Sequence, residues 1–313
     1  MHDSTRPPLW KTLLAFAIIY LLWGSTFLAI RIGVHEVPPL ILAAVRFLTA
    51  GLILYVWLIL RGESSPTRRQ WKSACLLGLL IFVCDYGLLF WAEQRVPSGI
   101  AAVMMATIPA FMAIAEIFFL RTQTLTPRLA LSIAVGLIGV AVLMSRSLHF
   151  GGSPIPTTGA IALILASLAW SISSVITRRL PLPSSKLMSA ASQMVAGGLM
   201  LCIATAFSGE LRTFHPSTLS PAAWWALLYL IIAGSLIGFT AYVWLIHHQS
   251  PTKVGTYAYV NPVVAVLIGY FFGGEPLTLR TVLGTLFILL SVILITTTRA
   301  PKPSLTPTAN DPA

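Results

Sequence analysis

The chain has 313 residues, of which 57% are apolar and only 9% are charged, and its mean hydropathy is +0.86. A soluble domain carries about 25% charged residues, so this composition excludes an ordinary water-soluble protein and indicates that lipid covers much of the surface. The net charge of +11 does not indicate nucleic-acid binding, because the basic residues lie in short loops between apolar segments, where they set membrane topology.

Ten segments are long and apolar enough to cross a bilayer, which takes about 20 mostly apolar residues. In chain order they are 12–31, 40–60, 73–93, 97–120, 129–146, 157–177, 187–208, 222–246, 253–274 and 281–298. We predict helices, because lipid cannot satisfy free backbone groups and the segments lack the alternation of barrel strands. Residues 1–11 and 299–313 are predicted tails, the second one disordered.

The basic residues favour one orientation in the membrane. Fourteen of the 20 Lys and Arg residues fall on the side of the N-terminus and five on the opposite side, while Arg46 lies within a span. Cytoplasmic loops carry the excess of Lys and Arg. We therefore predict that both termini are cytoplasmic, which agrees with an even number of spans.

An ordered series of matching residues runs through both halves of the chain. At shifts of 147 and 153 residues, the matches are Trp23 with Trp170, Arg31 with Arg178, Gly51 with Gly198, Trp91 with Trp244, and Pro109 with Pro262. They predict two five-helix repeats at 12–146 and 157–298. Five is odd, so the second repeat is inverted in the membrane, an architecture typical of secondary transporters with a site near the midplane.

Four sequence motifs resemble one transporter family along almost the whole chain. They are WGSTFLAIR at 23–31, PPLILAAVRFLTAG at 38–51, VPSGIAAVMMATIPAF at 96–111 and YAYVNPVVAVLIGYFFGGEPLT at 257–278. The chain resembles the EamA family of the drug/metabolite transporter superfamily, in particular its YedA-like branch. The resemblance implies a bacterial inner-membrane protein with ten helices, in which helices five and ten lie outside a central cavity. It also implies export or exchange of amino acids, related metabolites or drugs.

Two charged residues within predicted spans are candidates for the transport site. Asp85 lies deep in the third span, where a carboxylate is costly unless it is paired or faces water, and it is a candidate site for a coupling proton. Arg46 lies at a similar depth in the second span and is a candidate ligand for a substrate carboxylate, which its planar guanidinium could hold with two hydrogen bonds. The alternative is that Arg46 and Asp85 form a structural pair.

Other candidates come from the fourth and ninth spans. Glu116 lies near the inner end of its span, where it is a candidate inner gate or a second proton site, or else a residue in interfacial water. Pro109 and Pro262 occupy matching repeat positions, and each is expected to kink its helix. With Asn261, they are candidates for a place beside a midplane cavity, the alternative being a kink needed only for packing.

Aromatic residues supply the remaining site candidates. Trp and Tyr are usually interface anchors or packing residues, but Trp23 and Trp170 fall deep in the first and sixth spans. They are candidate walls or gates for an apolar or aromatic solute. Tyr257 and Tyr259 join them as candidates from the ninth span.

These observations favour a secondary transporter that exports small metabolites by alternating access, coupled to protons or working by exchange. The alternatives are a passive facilitator or channel, and a lipid flippase of the same architecture. The sequence has no Gly-rich phosphate loop, zinc-protease motif or convincing Ser/His/Asp set, so we predict no enzyme, cofactor or metal. Expected partners are the bilayer, a small solute and a proton. Small residues in helices five and ten are also compatible with a homodimer.

Overall fold

The computed structural model describes residues 7–96, 101, 104–144, 157–273 and 279–297. The described residues form helices joined by short connections, and no strand occurs among them. In chain order the helices are α1 (Leu9–Glu36), α2 (Pro39–Leu60), α3 (Arg68–Glu93), α4 (Ile108–Leu120), α5 (Pro127–Met144), α6 (Thr157–Ile176), α7 (Lys186–Ser208), α8 (Pro221–His248), α9 (Tyr257–Gly273) and α10 (Leu279–Thr297).

Within the described residues, six helices are long and apolar enough to cross a membrane: α1, α2, α3, α6, α7 and α8. Large apolar side chains lie exposed on their outer faces, for example Leu21, Ile53 and Phe207. Apolar exposure on this scale is incompatible with water, since soluble monomers rarely expose large apolar patches. The prediction of a helical multi-pass membrane protein is therefore confirmed.

Most helix ends lie close to the predicted boundaries, with corrections in the first, third, fourth and ninth predicted spans. Helix α3 begins at Arg68, before the predicted span 73–93, and a turn at 106–107 interrupts the predicted span 97–120. Helix α1 extends beyond the predicted span 12–31 at both ends. The predicted span 253–274 is not one helix, because a turn at 255–256 separates a short helix, Pro251–Val254, from α9. The start of the fourth predicted span, the loop 145–156 and most of the two tails lie outside the described residues.

Hydrogen-bonding caps define several helix ends. Thr67 and Gln70 form a reciprocal capping box at the start of α3. The hydroxyls of Ser185 and Ser220 accept bonds from the backbone N–H groups of α7 and α8. Such caps satisfy donors that have no partner within the helix, so they fix where α3, α7 and α8 begin.

Helices α2 and α7 cross at two glycines that occupy matching positions in the two repeats. A methyl group on Gly51 would lie 2.7 Å from the backbone nitrogen of Val195, and one on Gly198 would lie 2.7 Å from that of Leu48. Leu48 and Val195 are themselves separated by 147 residues, so the two contacts are equivalent. Close approach of the two backbones at small residues is typical of membrane helix pairs.

Helices α5 and α10 also pack closely against each other, at two glycines of α5. A methyl group on Gly136 would meet the Ser291 hydroxyl, and one on Gly139 would lie 2.9 Å from the nitrogen of Ile288. The Ser291 hydroxyl also donates a 2.6 Å hydrogen bond to the carbonyl of Ser132. These small residues thus join two helices of one chain, and the homodimer stays a prediction.

Substituting Gly198 with Ala tests the α2–α7 crossing. The added methyl would collide with backbone atoms of Leu48, and overpacking of this kind costs about 1–3 kcal/mol. We expect a clearly lower midpoint of thermal unfolding in detergent for Gly198→Ala. The matched control is Gly87→Ala in α3, where the new methyl would lie 3.6 Å from Leu40, an ordinary contact. Equal midpoints for the two variants would contradict the assigned crossing.

Candidate functional site

A small cavity lies at the centre of the helices, and both halves of the chain line it. We call it the central cavity. Its volume is about 40 Å³, which has room for only a few water molecules. The residues that line it are Trp23, Thr26, Phe27, Ile30, Asp85, Tyr86, Leu89, Met105, Ile108, Trp170, Tyr257, Ala258 and Asn261. Two tryptophans and two tyrosines give it largely aromatic walls.

Three of the predicted aromatic residues meet in the central cavity. The ring centroids of Trp23 and Trp170 are 5.4 Å apart, with the rings nearly perpendicular. Tyr257 lies 4.8 Å from Trp23 and 6.3 Å from Trp170, again nearly perpendicular to both. Edge-to-face contacts of this kind are favourable. The structure therefore places the matched tryptophans of the two repeats against each other at the centre of the molecule.

The two tryptophans differ in hydrogen bonding. The indole nitrogen of Trp23 donates a 3.0 Å bond to the carbonyl of Gly234 in α8. The indole nitrogen of Trp170 is buried and makes no well-formed hydrogen bond among the described residues, although it interacts with the hydroxyl of Tyr257. Because buried donors are normally paired, this nitrogen is a weakly bonded donor at the wall of the central cavity.

Asp85 reaches the central cavity from α3 and is 1% exposed. Its Oδ1 atom has no hydrogen-bond partner among the described residues. Asp85 lies in a π-helical segment, Leu79–Gly87, and such segments are frequent at functional sites. A carboxyl group this deep in a membrane protein is costly unless it has a functional partner.

Arg46 does not line the central cavity. Its Nε atom donates a 2.9 Å bond to the hydroxyl of Ser235 in α8. Its guanidinium carbon lies 4.5 Å from the ring centroid of Phe47 and 5.1 Å from that of Tyr86, within the range of cation–π attraction. No ion pair between Arg46 and Asp85 is found among the described residues, so the structural pairing considered from the sequence is not formed here.

The proline candidates lie beside the central cavity, and their neighbours line it. Pro109 follows a turn at 106–107 that interrupts the helix, and Pro262 lies inside α9. Ile108 and Asn261, each next to one of these prolines, belong to the lining. The amide oxygen of Asn261 has no hydrogen-bond partner among the described residues, so it adds a second unbonded oxygen to the cavity wall.

Tyr259 faces away from the central cavity. Its ring is buried beside Gly136 of α5, and its hydroxyl donates a 3.4 Å bond to the carbonyl of Ile133. Residues two apart on a helix point about 200° apart, so Tyr257 and Tyr259 cannot both face one cavity. The structure thus assigns Tyr257 to the cavity and Tyr259 to the contact with α5.

Glu116 lines a second and much larger cavity, which lies on the side of the N-terminus. This cavity has a volume of about 1250 Å³ and includes Leu9, Thr12 and Lys253 in its lining. Glu116 is buried, and its Oε2 accepts bonds from the hydroxyl (2.8 Å) and backbone nitrogen (3.2 Å) of Thr252. Its Oε1 accepts a 3.1 Å bond from Thr122. Glu116 therefore connects the end of α4 to the segment before α9.

Further contacts continue this connection towards the central cavity. The hydroxyls of Tyr20 and Thr256 lie 2.6 Å apart, and a methyl group on Gly255 would lie 2.6 Å from the sulfur of Met112. We call Tyr20, Met112, Glu116, Thr252, Gly255 and Thr256 the inner layer. It joins α1 and α4 to the segment before α9.

Two carboxyl groups connect the halves at the opposite end. Glu36, at the end of α1, accepts bonds from the backbone nitrogen and hydroxyl of Ser220, at the start of α8. Glu210 accepts bonds from the backbone nitrogens of Leu40 and Ile41 at the start of α2. Burial raises the pKa of Glu210 above the ordinary carboxyl value, although these two N–H groups act in the opposite direction. Carboxylates near helix N-termini are favourable, so each half caps a helix of the other.

Sequence reasoning missed two tyrosines of the site. Tyr86 lines the central cavity and stacks on Arg46. Tyr242 contacts the rings of Trp23 and Trp170, and its hydroxyl hydrogen-bonds to that of Ser174. Tyr86 could have been found as the neighbour of Asp85. Tyr242 carries no such signal, because a single tyrosine in an apolar helix is usually a packing residue.

Comparison with known proteins gives consistent matches along the chain. The model of the EamA-like transporter family matches residues 10–145 and 157–297. The inner membrane transporter YedA of Escherichia coli K12 is 41% identical over 291 residues, covering 92% of this chain and 90% of that protein. Protein PecM of Dickeya dadantii is 26% identical, covering 87% and 88%. A crystal structure with 22% identity covers 92% of this chain and 96% of its own, with a TM-score of 0.74, which shows a shared fold.

Replacing Thr252 tests the connection to Glu116. Thr252→Val removes the hydroxyl donor and keeps the backbone N–H, and a hydrogen bond to a charged group contributes about 1.5–3 kcal/mol. We expect Thr252→Val to lower the thermal unfolding midpoint in detergent, and Thr252→Ser, which keeps a hydroxyl, to lower it less. The decrease in the unfolding midpoint that Thr252→Val causes should be smaller when Glu116 has already been replaced by Gln. An equal loss in both backgrounds would show that the two residues are not coupled.

Proposed function

Because the chain belongs to the EamA-like transporter family, we propose that it is a secondary transporter that exports small amphipathic solutes by alternating access. Amino acids, related metabolites and drugs are the solute classes that the sequence suggests. The observation that carries the proposal is the central cavity. Both halves of the chain line it, and it contains a buried carboxyl group with an unbonded oxygen. Fold alone does not fix function, so the argument rests on this site.

In the proposed topology, all ten helices span the inner membrane, with both termini in the cytoplasm. Residues 12–146 and 157–298 form two inverted repeats. The reciprocal contacts of Gly51 with Val195 and Gly198 with Leu48 support a twofold relation between them. The excess of Lys and Arg on the side of the N-terminus supports the orientation, and the name of the Escherichia coli relative supports the inner membrane.

The difference between the two cavities supports alternating access. The central cavity, of about 40 Å³, is too small for an amino acid, whereas the cavity on the side of the N-terminus holds about 1250 Å³. In this proposal the inner layer lies between them. In this mechanism the halves rock about the Trp23–Trp170 contact, so that breaking the inner layer opens the central cavity to the cytoplasm. Breaking the contacts of Glu36 and Glu210 opens it to the other side.

Coupling is proposed to act through Asp85. Ionisable residues inside membrane transporters commonly carry coupling protons, and Asp85 is the carboxyl group that lines the central cavity. Protonation of Asp85 would remove its charge and change its affinity for a solute. A solute and a proton would then compete for one group, which gives exchange across the membrane without any cofactor.

Reconstitution in liposomes distinguishes this function from its rivals. A carrier shows saturable counterflow, in which unlabelled solute inside drives uptake of labelled solute. A passive facilitator or channel shows flux without counterflow. A lipid flippase moves labelled lipid between leaflets and leaves soluble solutes behind. Absence of counterflow for every soluble solute in a panel of amino acids, amines and drugs would refute the proposed carrier.

Asp85→Asn tests the coupling role. We expect an imposed pH gradient to change solute uptake by the wild-type protein, and this effect to disappear in Asp85→Asn, because an amide cannot take up the proton. The matched control is Glu93→Gln, which neutralises another buried carboxyl that does not line the central cavity. An undiminished gradient effect in Asp85→Asn would exclude Asp85 as the coupling site.

A further inference from the structure

We propose that the central cavity binds an organic cation, a quaternary or aromatic amine without a carboxylate, rather than an amino acid. The inference rests on the proposed transport function and names the solute class of that same site. It departs from the amino-acid substrate suggested by the sequence. The observations that carry it are the charges in the cavity lining and the geometry of the aromatic rings.

The central cavity contains an acidic side chain and no basic one among the described residues that line it. Asp85 is its carboxyl group, and no Lys, Arg or His is among the described residues that line it. The Oδ1 atom of Asp85 and the amide oxygen of Asn261 have no partners among the described residues. An uncompensated buried carboxylate is costly. A cation in the cavity would supply both the missing charge and, for an amine with N–H groups, the missing donors.

The nearest candidate to balance Asp85 is held elsewhere. Arg46 is hydrogen-bonded to Ser235 and stacked on Phe47 and Tyr86. It is also enclosed by α8, since a methyl group on Gly234 would lie 2.7 Å from its Nη2 atom. Its Nη1 atom has no hydrogen-bond partner among the described residues, but Arg46 does not line the central cavity, whereas Tyr86, which contacts it, does. Among the described lining residues, a substrate carboxylate would therefore find no cationic partner.

The aromatic rings supply the surfaces from which a cation-binding cage is built. The rings of Trp23, Trp170 and Tyr257 are inclined to one another by 78°, 78° and 73°. In this closed arrangement they contact one another edge to face. The electron-rich face of an aromatic ring attracts cations, and such cages recognise quaternary ammonium groups. In the closed cavity the rings fill the space between themselves, and opening would expose their faces.

Other ligands fit the cavity less well. Ca²⁺ and Mg²⁺ take six or more oxygen ligands, whereas the cavity offers one carboxyl and one amide side chain. The carboxylate of an amino acid would find the weakly bonded indole N–H of Trp170 as a side-chain donor. A single neutral donor does not offset the cost of burying a carboxylate, and Asp85 would repel it.

Three probes of one size class test the inference with the purified full-length protein. All three carry a phenyl ring and differ in charge. Phenyltrimethylammonium is a cation, L-phenylalanine is a zwitterion and 3-phenylpropionate is an anion. Binding is measured by calorimetry in detergent, and counterflow is measured in liposomes. We expect the cation to bind at least about tenfold more tightly than the other two probes, a difference of about 1.4 kcal/mol, and to show counterflow.

Two variants, each with a matched control variant, test the assigned contacts. Asp85→Asn should weaken binding of the cation about tenfold or more, while Glu93→Gln should leave it unchanged. Tyr257→Leu removes an aromatic wall and should weaken binding severalfold, whereas Tyr257→Phe keeps the ring and should not. Unfolding midpoints identify any variant that fails to fold. The comparison of the three probes on the wild-type protein does not depend on the variants.

The outcomes separate this inference from the proposed function. Counterflow of phenylalanine with no preference for the cation would overturn the inference and leave the carrier standing. Tight binding of the cation without counterflow would support the cation site and show that this cation is not transported, and the carrier would then be judged on the wider solute panel. Failure of all three probes to bind would overturn the inference directly, and the carrier would then be judged on the wider solute panel.

Discussion

Helices in lipid gain little by burying apolar side chains against one another, because lipid is as apolar as leucine, and this constraint governs the arrangement of the molecule. Association must come from close packing and from hydrogen bonds between helices. The contacts of Gly51 and Gly198 let α2 and α7 approach backbone to backbone. Gly136 and Gly139 do the same for α5 and α10, where Ser291 adds a hydrogen bond. These crossings leave α1, α3, α4, α6 and α9 to line the central cavity.

The two charged residues deepest in the helices meet the cost of burial in different ways. Arg46 spreads its charge over the faces of Phe47 and Tyr86 and donates to Ser235, so it acts as a link between α2 and α8. Asp85 has no comparable set of contacts and retains an unbonded oxygen. Arg46 also keeps one buried nitrogen, Nη1, without a hydrogen-bond partner among the described residues, but it does not line the central cavity. Asp85 lines it, so its unbonded oxygen is the one available to a ligand there.

The sequence was sufficient to predict the helices but not the rotation of each helix about its axis. Length and apolarity identify a span, and the six clear spans were predicted within a few residues. Helix α2 is apolar on nearly every side, so its pattern does not say where Arg46 points. The structure directs Arg46 to Ser235 of α8, a contact between residues 189 positions apart. Only tertiary packing fixes such a contact.

Interruptions within the helices were only partly predicted from the sequence. Proline chemistry indicated the interruption before Pro109, but nothing in the pattern marked the turn at 255–256 within an apolar segment. The depth of Asp85 and the matched positions of Trp23 and Trp170 directed attention to residues that the structure brings into one cavity. The choice between Tyr257 and Tyr259 was open from the sequence, although helical geometry already required that only one face the cavity.

The reciprocal glycine crossings bear on the origin of the chain. Each half presents the same surface to the other, with Gly51 meeting Val195 where Gly198 meets Leu48. An interface in which two patches exchange equivalent contacts is isologous, the kind that joins a symmetric dimer. With the proposed inverted topology, a half-length ancestor inserted in both orientations would have satisfied these contacts with its own copy. Fusion of two copies would then have freed Asp85 and Arg46 to arise in one half alone.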